Sequence, residues 1–153
     1  MNINLEIAKL DHILKIKKGY RICFKKLCKK HFNHFTNKNR DFFKDYIIDL
    51  TNTKYCFNIL HNNNYCGNLI LELNNDQSLH ICYFFILPNF QKLGIGSLIF
   101  KLIEEQFNEV NKLYLETFPE EKTCKFYEKN SFKNIGKSED GMEKYEKIIS
   151  LQS

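Results

Sequence analysis

The sequence predicts an α/β (α+β) protein, a mixed sheet with helices packed around it. Three patterns carry that expectation. Two runs of alternating hydrophobicity, 54–60 and 65–73, flank the turn-rich His61-Asn62-Asn63-Asn64 and read as an antiparallel hairpin. An apolar run at 79–87 passes through Gly94 and Gly96 into an amphipathic helix at 97–107 and then a strand at 112–118. A strand–helix–strand crossover of that kind pairs its strands in parallel. The hydrophobic period also switches repeatedly between two and about 3.6 residues along the chain, as it does when strands and helices share one core.

The elements follow in order. Residues 2–8 alternate, with Ile3, Leu5 and Ile7 on one face, and read as a strand. Asp11 is placed to cap a short helix through Lys17, with Ile13, Leu14 and Ile16 inward, and Gly19 reads as its stop. A second helix spans 20–35. Cys23, Phe24, Leu27, Cys28, His31 and His34 share one face, while Arg21 and the lysines at 25, 26, 29 and 30 take the other. The Cys and His side chains are spread over about three turns, too far for one tetrahedral ion, so the face is read as core or groove lining and no metal is expected. A loop at 36–39 precedes a helix at 40–50, then come the hairpin, a turn at 74–77 and a strand at 78–87 that is apolar on both faces, as a central strand is. Ile95, Leu98, Ile99, Leu102 and Ile103 form the stripe of the next helix. After the strand at 112–118, Pro119 breaks the chain, a helix is expected at 121–129, and strands at 131–135 and 142–149 close it.

One domain is expected over 1–153, with no internal repeat. The net charge of +5 is mild; it favours an acidic or phosphorylated ligand but makes no case for nucleic acid, because the lysine face carries neither interleaved aromatics nor more than one arginine. The N-terminus is polar and no apolar run nears the ~20 residues of a membrane span, so no membrane partner is expected. Six cysteines without a C-x-x-C pair fit reduced thiols and a cytoplasmic protein.

The stretch 86–97 is the most informative. A strand, a glycine-rich turn and a helix start present free backbone N–H groups and the positive end of the helix dipole, which suit a phosphate. Pro88, Gln91, Gly94 and Gly96 together resemble the Q-x-x-G-x-G/A acyl-CoA loop of the GCN5-related N-acetyltransferase (GNAT) family. Residues 124–132, Cys-Lys-Phe-Tyr-Glu-Lys-Asn-Ser-Phe, resemble the family's A-x-x-F/L-Y-E-K-x-G-F segment, with Tyr127 on its tyrosine and Phe132 on its phenylalanine. Ser131 stands where the glycine is usual, and Glu120 where many members carry a CoA-contacting asparagine whose hydrogen bond a glutamate cannot donate.

The resemblance implies a largely antiparallel sheet of six to seven strands with a splayed parallel pair, flanked by about four helices. It implies acetyl-CoA as co-substrate and an amine acceptor that attacks directly in a ternary complex, with the protein a monomer or homodimer. Backbone groups of Phe84, Phe85 and Ile86 would pair with the pantetheine arm. Gln91, Lys92, Leu93, Gly94, Ile95, Gly96 and Ser97 would form the pyrophosphate loop. Tyr127 is the implied general acid for the leaving thiolate, its other reading being a core aromatic. Glu116, in a Leu-Tyr-Leu-Glu similar to that of ribosomal-protein alanine acetyltransferases, is the candidate base, with Glu72, His80 and Tyr83 as rivals. The competing function is a non-catalytic acyl-CoA-binding or regulatory module on the same fold.

Overall fold

The computed structural model describes residues 2–31 and 55–149. The expected loop at 36–39, the helix at 40–50 and the side chains of Phe32, His34 and Phe35 lie outside them. The described strands are β1 (Ile3–Ile7), β2 (Tyr55–His61), β3 (Asn64–Leu73), β4 (Ser78–Ile86), β5 (Lys112–Thr117), β6 (Lys133–Lys137) and β7 (Glu143–Ile148). The helices are α1 (Ile13–His31), α2 (Ile95–Gln106) and α3 (Glu121–Lys129). Strand order in the sheet is β1-β2-β3-β4-β5-β7-β6. The β4–β5 pair is parallel, and its ladder runs from Ser78 opposite Lys112 to His80 opposite Tyr114. The crossover through α2 requires that direction. Among the described residues no helix is long and apolar enough to cross a membrane.

The chain forms two compact units, residues 1–71 with 83–96 and residues 72–82 with 97–153. In the first, β1, β2 and β3 pair antiparallel, and Asn58 and Asn68 are wholly buried between them. They are fully satisfied there. The Asn68 amide donates to the Phe57 carbonyl at 3.1 Å and to Asn58 Oδ1 at 2.8 Å, and the Asn58 amide donates to Glu6 at 3.0 Å. Ile7 was expected inward but is 72% exposed at the end of β1.

Helix α1 is continuous where two helices were expected. Gly19 does not stop it; it is buried inside the helix, and a Cβ there would lie 2.5 Å from Cε2 of Phe85. The glycine is a notch that lets the helix meet an aromatic ring. Ile13 and Ile16 are buried as expected, but Leu14 is 71% exposed, because the long helix turns its side chain to solvent. Tyr20 and Phe24 close over Tyr83 and Phe85, with ring centroids 5.4 Å apart for Tyr20–Tyr83 and 6.1 Å for Phe24–Phe85. The four lysines at 25, 26, 29 and 30 are solvated.

In the second unit, β5 pairs antiparallel with β7 and β7 with β6. Ile99, Phe100 and Ile103 of α2 are buried with Leu113, Leu115 and Tyr145. Phe100 anchors an aromatic cluster with Phe126, Tyr127 and Phe132, at centroid distances of 5.7, 6.1 and 5.0 Å. Helix α3 ends in a Schellman motif: the Phe132 N–H reaches the Tyr127 carbonyl at 3.0 Å, the Ser131 N–H reaches that of Glu128 at 3.1 Å, and the Phe132 and Tyr127 rings pack at 5.5 Å. The motif needs a left-handed residue, and Ser131 supplies it at φ 72°. Because this turn consumes 131 and 132, β6 starts at Lys133 rather than at Ser131.

Candidate active site

The loop belongs to the first unit. In β4, Phe85 turns its backbone toward β3: a Cβ on Gly67 would lie 2.0 Å from its carbonyl oxygen, and two residues on, the Leu87 N–H donates to the Cys66 carbonyl at 2.7 Å. Backbone direction alternates along a strand, so Phe84 and Ile86 present their N–H and C=O groups on the opposite edge. Of the three expected pantetheine residues, Phe85 therefore contributes none on that edge. The Ile86 carbonyl accepts from the Gln91 amide at 2.8 Å and from the Cys23 thiol at 3.5 Å. Burial pushes that thiol up to about 11, so it remains an S–H donor. Gln91 thus ties the loop to the end of its strand.

A single turn at Pro88–Phe90 leads in, with Pro88 at its first position, and Lys92 and Gly94 then adopt left-handed backbone at φ 65° and 81°. Residues 91–94 are exposed, and α2 starts at the buried Ile95, so Gly96 and Ser97 sit in its first turn rather than before it. First-turn amides have no partner within their own helix, and here they follow an exposed loop. A Cβ at Gly94 would meet nothing within 4 Å, which leaves the backbone angle as the reason for glycine.

The other candidates belong to the second unit. Tyr127 is buried at the end of α3, its ring 5.9 Å from that of Tyr145. Burial, and then the neighbouring Cys124 thiol, push the phenol above its ordinary pKa, so it keeps its proton at neutral pH. Glu116 is exposed on β5 opposite Lys144 of β7. With Tyr114, Lys144 and His80 it lines a cavity of about 450 Å³. His80 stacks on Tyr114 at 4.7 Å with rings 5° from parallel, and the Tyr114 hydroxyl takes a 2.7 Å hydrogen bond from Asn74. Asp76 accepts from the Ser78 N–H at 3.0 Å and its hydroxyl at 2.5 Å, which holds its carboxyl below the usual range. The sequence reading does not single out Asn74, Tyr114 or Lys144; the period-two pattern of 112–118, which puts Lys112, Tyr114 and Glu116 on one face, is a signal for Tyr114 alone, while Asn74 and Lys144 join it only through the fold. Of the rival bases, Glu72 and His80 lie together beside Cys82, whereas Tyr83 belongs to the aromatic cluster of the first unit.

The acetyltransferase (GNAT) family profile matches residues 20–132. The chain belongs to that family. No curated relative matches it by sequence. Among solved structures, a PaiA N-acetyltransferase from Thermoplasma acidophilum in complex with coenzyme A aligns with TM-score 0.78 at 12% identity, covering 97% of this chain and 100% of that one. Tetrahymena GCN5 aligns at 0.68 and 13%, covering 100% and 99%. RimL, a ribosomal L7/L12 alpha-N-protein acetyltransferase, aligns at 0.69 and 14%, covering 97% and 91%. At such identities the likeness is one of fold, and the seven-stranded mixed sheet with its parallel pair is the GNAT sheet.

Proposed function

We propose that this GNAT protein moves an acetyl group from acetyl-CoA to a primary amine by direct attack in a ternary complex. The supporting observation is the loop: a strand with Phe84 and Ile86 facing away from β3, a Gln91 tether, two left-handed residues and the first turn of α2. Residues 91–97 fit a pyrophosphate through backbone N–H groups, because the loop is exposed and its glycine spares it a side chain. Acetyl-CoA supplies an acyl group already activated as a thioester.

Three tasks remain for side chains and backbone. Glu116, exposed at the cavity, takes the ammonium proton of the acceptor through water and frees its lone pair. Backbone N–H groups of β4 polarise the carbonyl as nitrogen bonds to its carbon. Tyr127 gives its proton to the sulfur as the carbon–sulfur bond breaks. A phenol raised by burial stays protonated until it meets a strong base, and the same dry surroundings raise the basicity of a thiolate. For the acceptor we favour a peptide amine, on the Leu-Tyr-Leu-Glu of β5 and on the fold shared with RimL, which carries the name of an alpha-N-protein acetyltransferase.

Tyr127→Phe tests the acid. The ring packing survives, and turnover with acetyl-CoA and a peptide panel should fall ~10²-fold while acetyl-CoA affinity by calorimetry stays within about twofold. Full activity in the variant removes Tyr127 from the mechanism. A wild-type protein that binds acetyl-CoA but releases no thiol with any amine identifies a binding module instead.

A further inference from the structure

We propose that Glu72, His80 and Cys82 form a binding site for one zinc-class transition-metal ion. The turn between β3 and β4 sets their register. Asn74 donates its N–H to the Ser78 carbonyl at 2.9 Å, and Gln77 reaches the Asn74 carbonyl at 3.2 Å. Two residues outward from Asn74 and Ser78 lie Glu72 and His80. Cys82 follows His80 by two positions, so both side chains stand on one face of β4. A carboxylate oxygen, an imidazole nitrogen and a thiol sulfur thereby fall within 4.8 Å of one another, all three residues half-buried.

The spacing suits a tetrahedral ion. Zinc bonds of about 2.0–2.1 Å to nitrogen and 2.3 Å to sulfur, opened to the tetrahedral angle, place the two donors about 3.5 Å apart. His80 Nδ1 and Cys82 Sγ are 3.5 Å apart. The imidazole is also held in place, stacked on Tyr114, whose hydroxyl Asn74 fixes. Outer contacts of this kind orient ligands in metal sites. A thiolate beside an imidazole selects Zn²⁺ or Co²⁺ over Mg²⁺ or Ca²⁺. Three protein donors leave a fourth position for water or an added ligand, and His80 also lines the 450 Å³ cavity. Binding replaces the Cys82 S–H bond with a sulfur–metal bond and releases one proton to solvent. His80 then acts as a ligand and not as a base.

The full chain, stripped with chelator and reduced, is titrated with Co²⁺ and, separately, with Zn²⁺ in a calorimeter. The expected result is one equivalent per chain, a near-ultraviolet thiolate-to-cobalt absorption band, and displacement of cobalt by zinc. Cys82→Ser should abolish the band, Cys124→Ser should keep it, and His80→Gln and Glu72→Gln should each weaken Zn²⁺ binding by about 10–100-fold or more. The two latter changes fall on half-buried surface positions and test the site even if Cys82→Ser fails to fold. Substoichiometric uptake, a band that survives Cys82→Ser, or unchanged affinity in both His80→Gln and Glu72→Gln overturns the site and leaves the cluster as a hydrogen-bonded group. None of these readouts depends on acetyl transfer.

Discussion

Replacing Gly67 with alanine should damage both the fold and the proposed cofactor strand. Alanine in an ordinary strand would be favoured over glycine by roughly 0.5–1 kcal/mol. Here its Cβ would lie 2.0 Å from the Phe85 carbonyl oxygen, 3.0 Å from the Phe85 carbonyl carbon and 3.2 Å from the Ile86 Cα. All three are backbone atoms, which no rotamer change can move. Relief needs the strands to part by more than about 1 Å, and overpacking of that kind costs roughly 1–3 kcal/mol. The neighbouring bond from the Leu87 N–H to the Cys66 carbonyl, 2.7 Å long, stretches with it, and its loss adds about 1 kcal/mol. Against the propensity gain, the net loss is about 1–3 kcal/mol, read as a lower midpoint at constant slope in urea unfolding. Because Phe84 and Ile86 ride on the displaced segment, acetyl-CoA affinity should fall about tenfold or more in the molecules that remain folded. A variant within about 0.5 kcal/mol of the parent that binds acetyl-CoA normally would refute the argument that this close approach positions the strand.

Two further substitutions separate the loop from the scaffold. Gly94→Glu has open space around it but a left-handed backbone, so it should cost only about 1–2 kcal/mol of stability while abolishing acetyl-CoA binding in calorimetry; retained binding would remove the loop from the cofactor site. Ser131→Gly relieves the left-handed serine that ends α3 and should raise stability by about 1 kcal/mol, a melting shift of roughly 2–4 °C; a lower melting temperature would show that the serine side chain matters more than its backbone angle.

Elements buried on one side only were legible, because one-sided burial imposes a period on the sequence. The stripe of α2 and the alternation of β5 are examples: Ile95, Ile99 and Ile103, and Leu113 and Leu115, are buried where the period puts them. Glycines were less legible. Gly94 reads correctly as a turn residue because its role is local. Gly19 and Gly67 answer to Phe85, a residue distant in sequence, and a helix period or a strand alternation contains no trace of that ring or carbonyl. The asparagines are illegible for a different reason. Asn58 and Asn68 are buried and bonded across three strands, and only the pairing of β1, β2 and β3 distinguishes them from the turn residues Asn62 and Asn63.

The same distinction divides the site. The proposed acyl-CoA loop is a continuous segment whose work would fall to backbone groups, so glycine, proline and glutamine at fixed spacing are enough to suggest it. A side-chain site assembled across a hairpin needs the register. In the sequence Glu72 and His80 stand as separate candidate bases on two strands, and Cys82 as one of six scattered thiols. The turn at 74–78 brings the three within 4.8 Å, and this changes the chemistry open to each. A histidine with a thiol 3.5 Å away is no longer simply a proton acceptor for an incoming amine, since a metal and an ammonium group would compete for the same imidazole. Glu116 stands apart from that cluster, on β5 opposite Lys144, so on the roles proposed above proton removal would fall to β5 and metal capture to the β3–β4 hairpin.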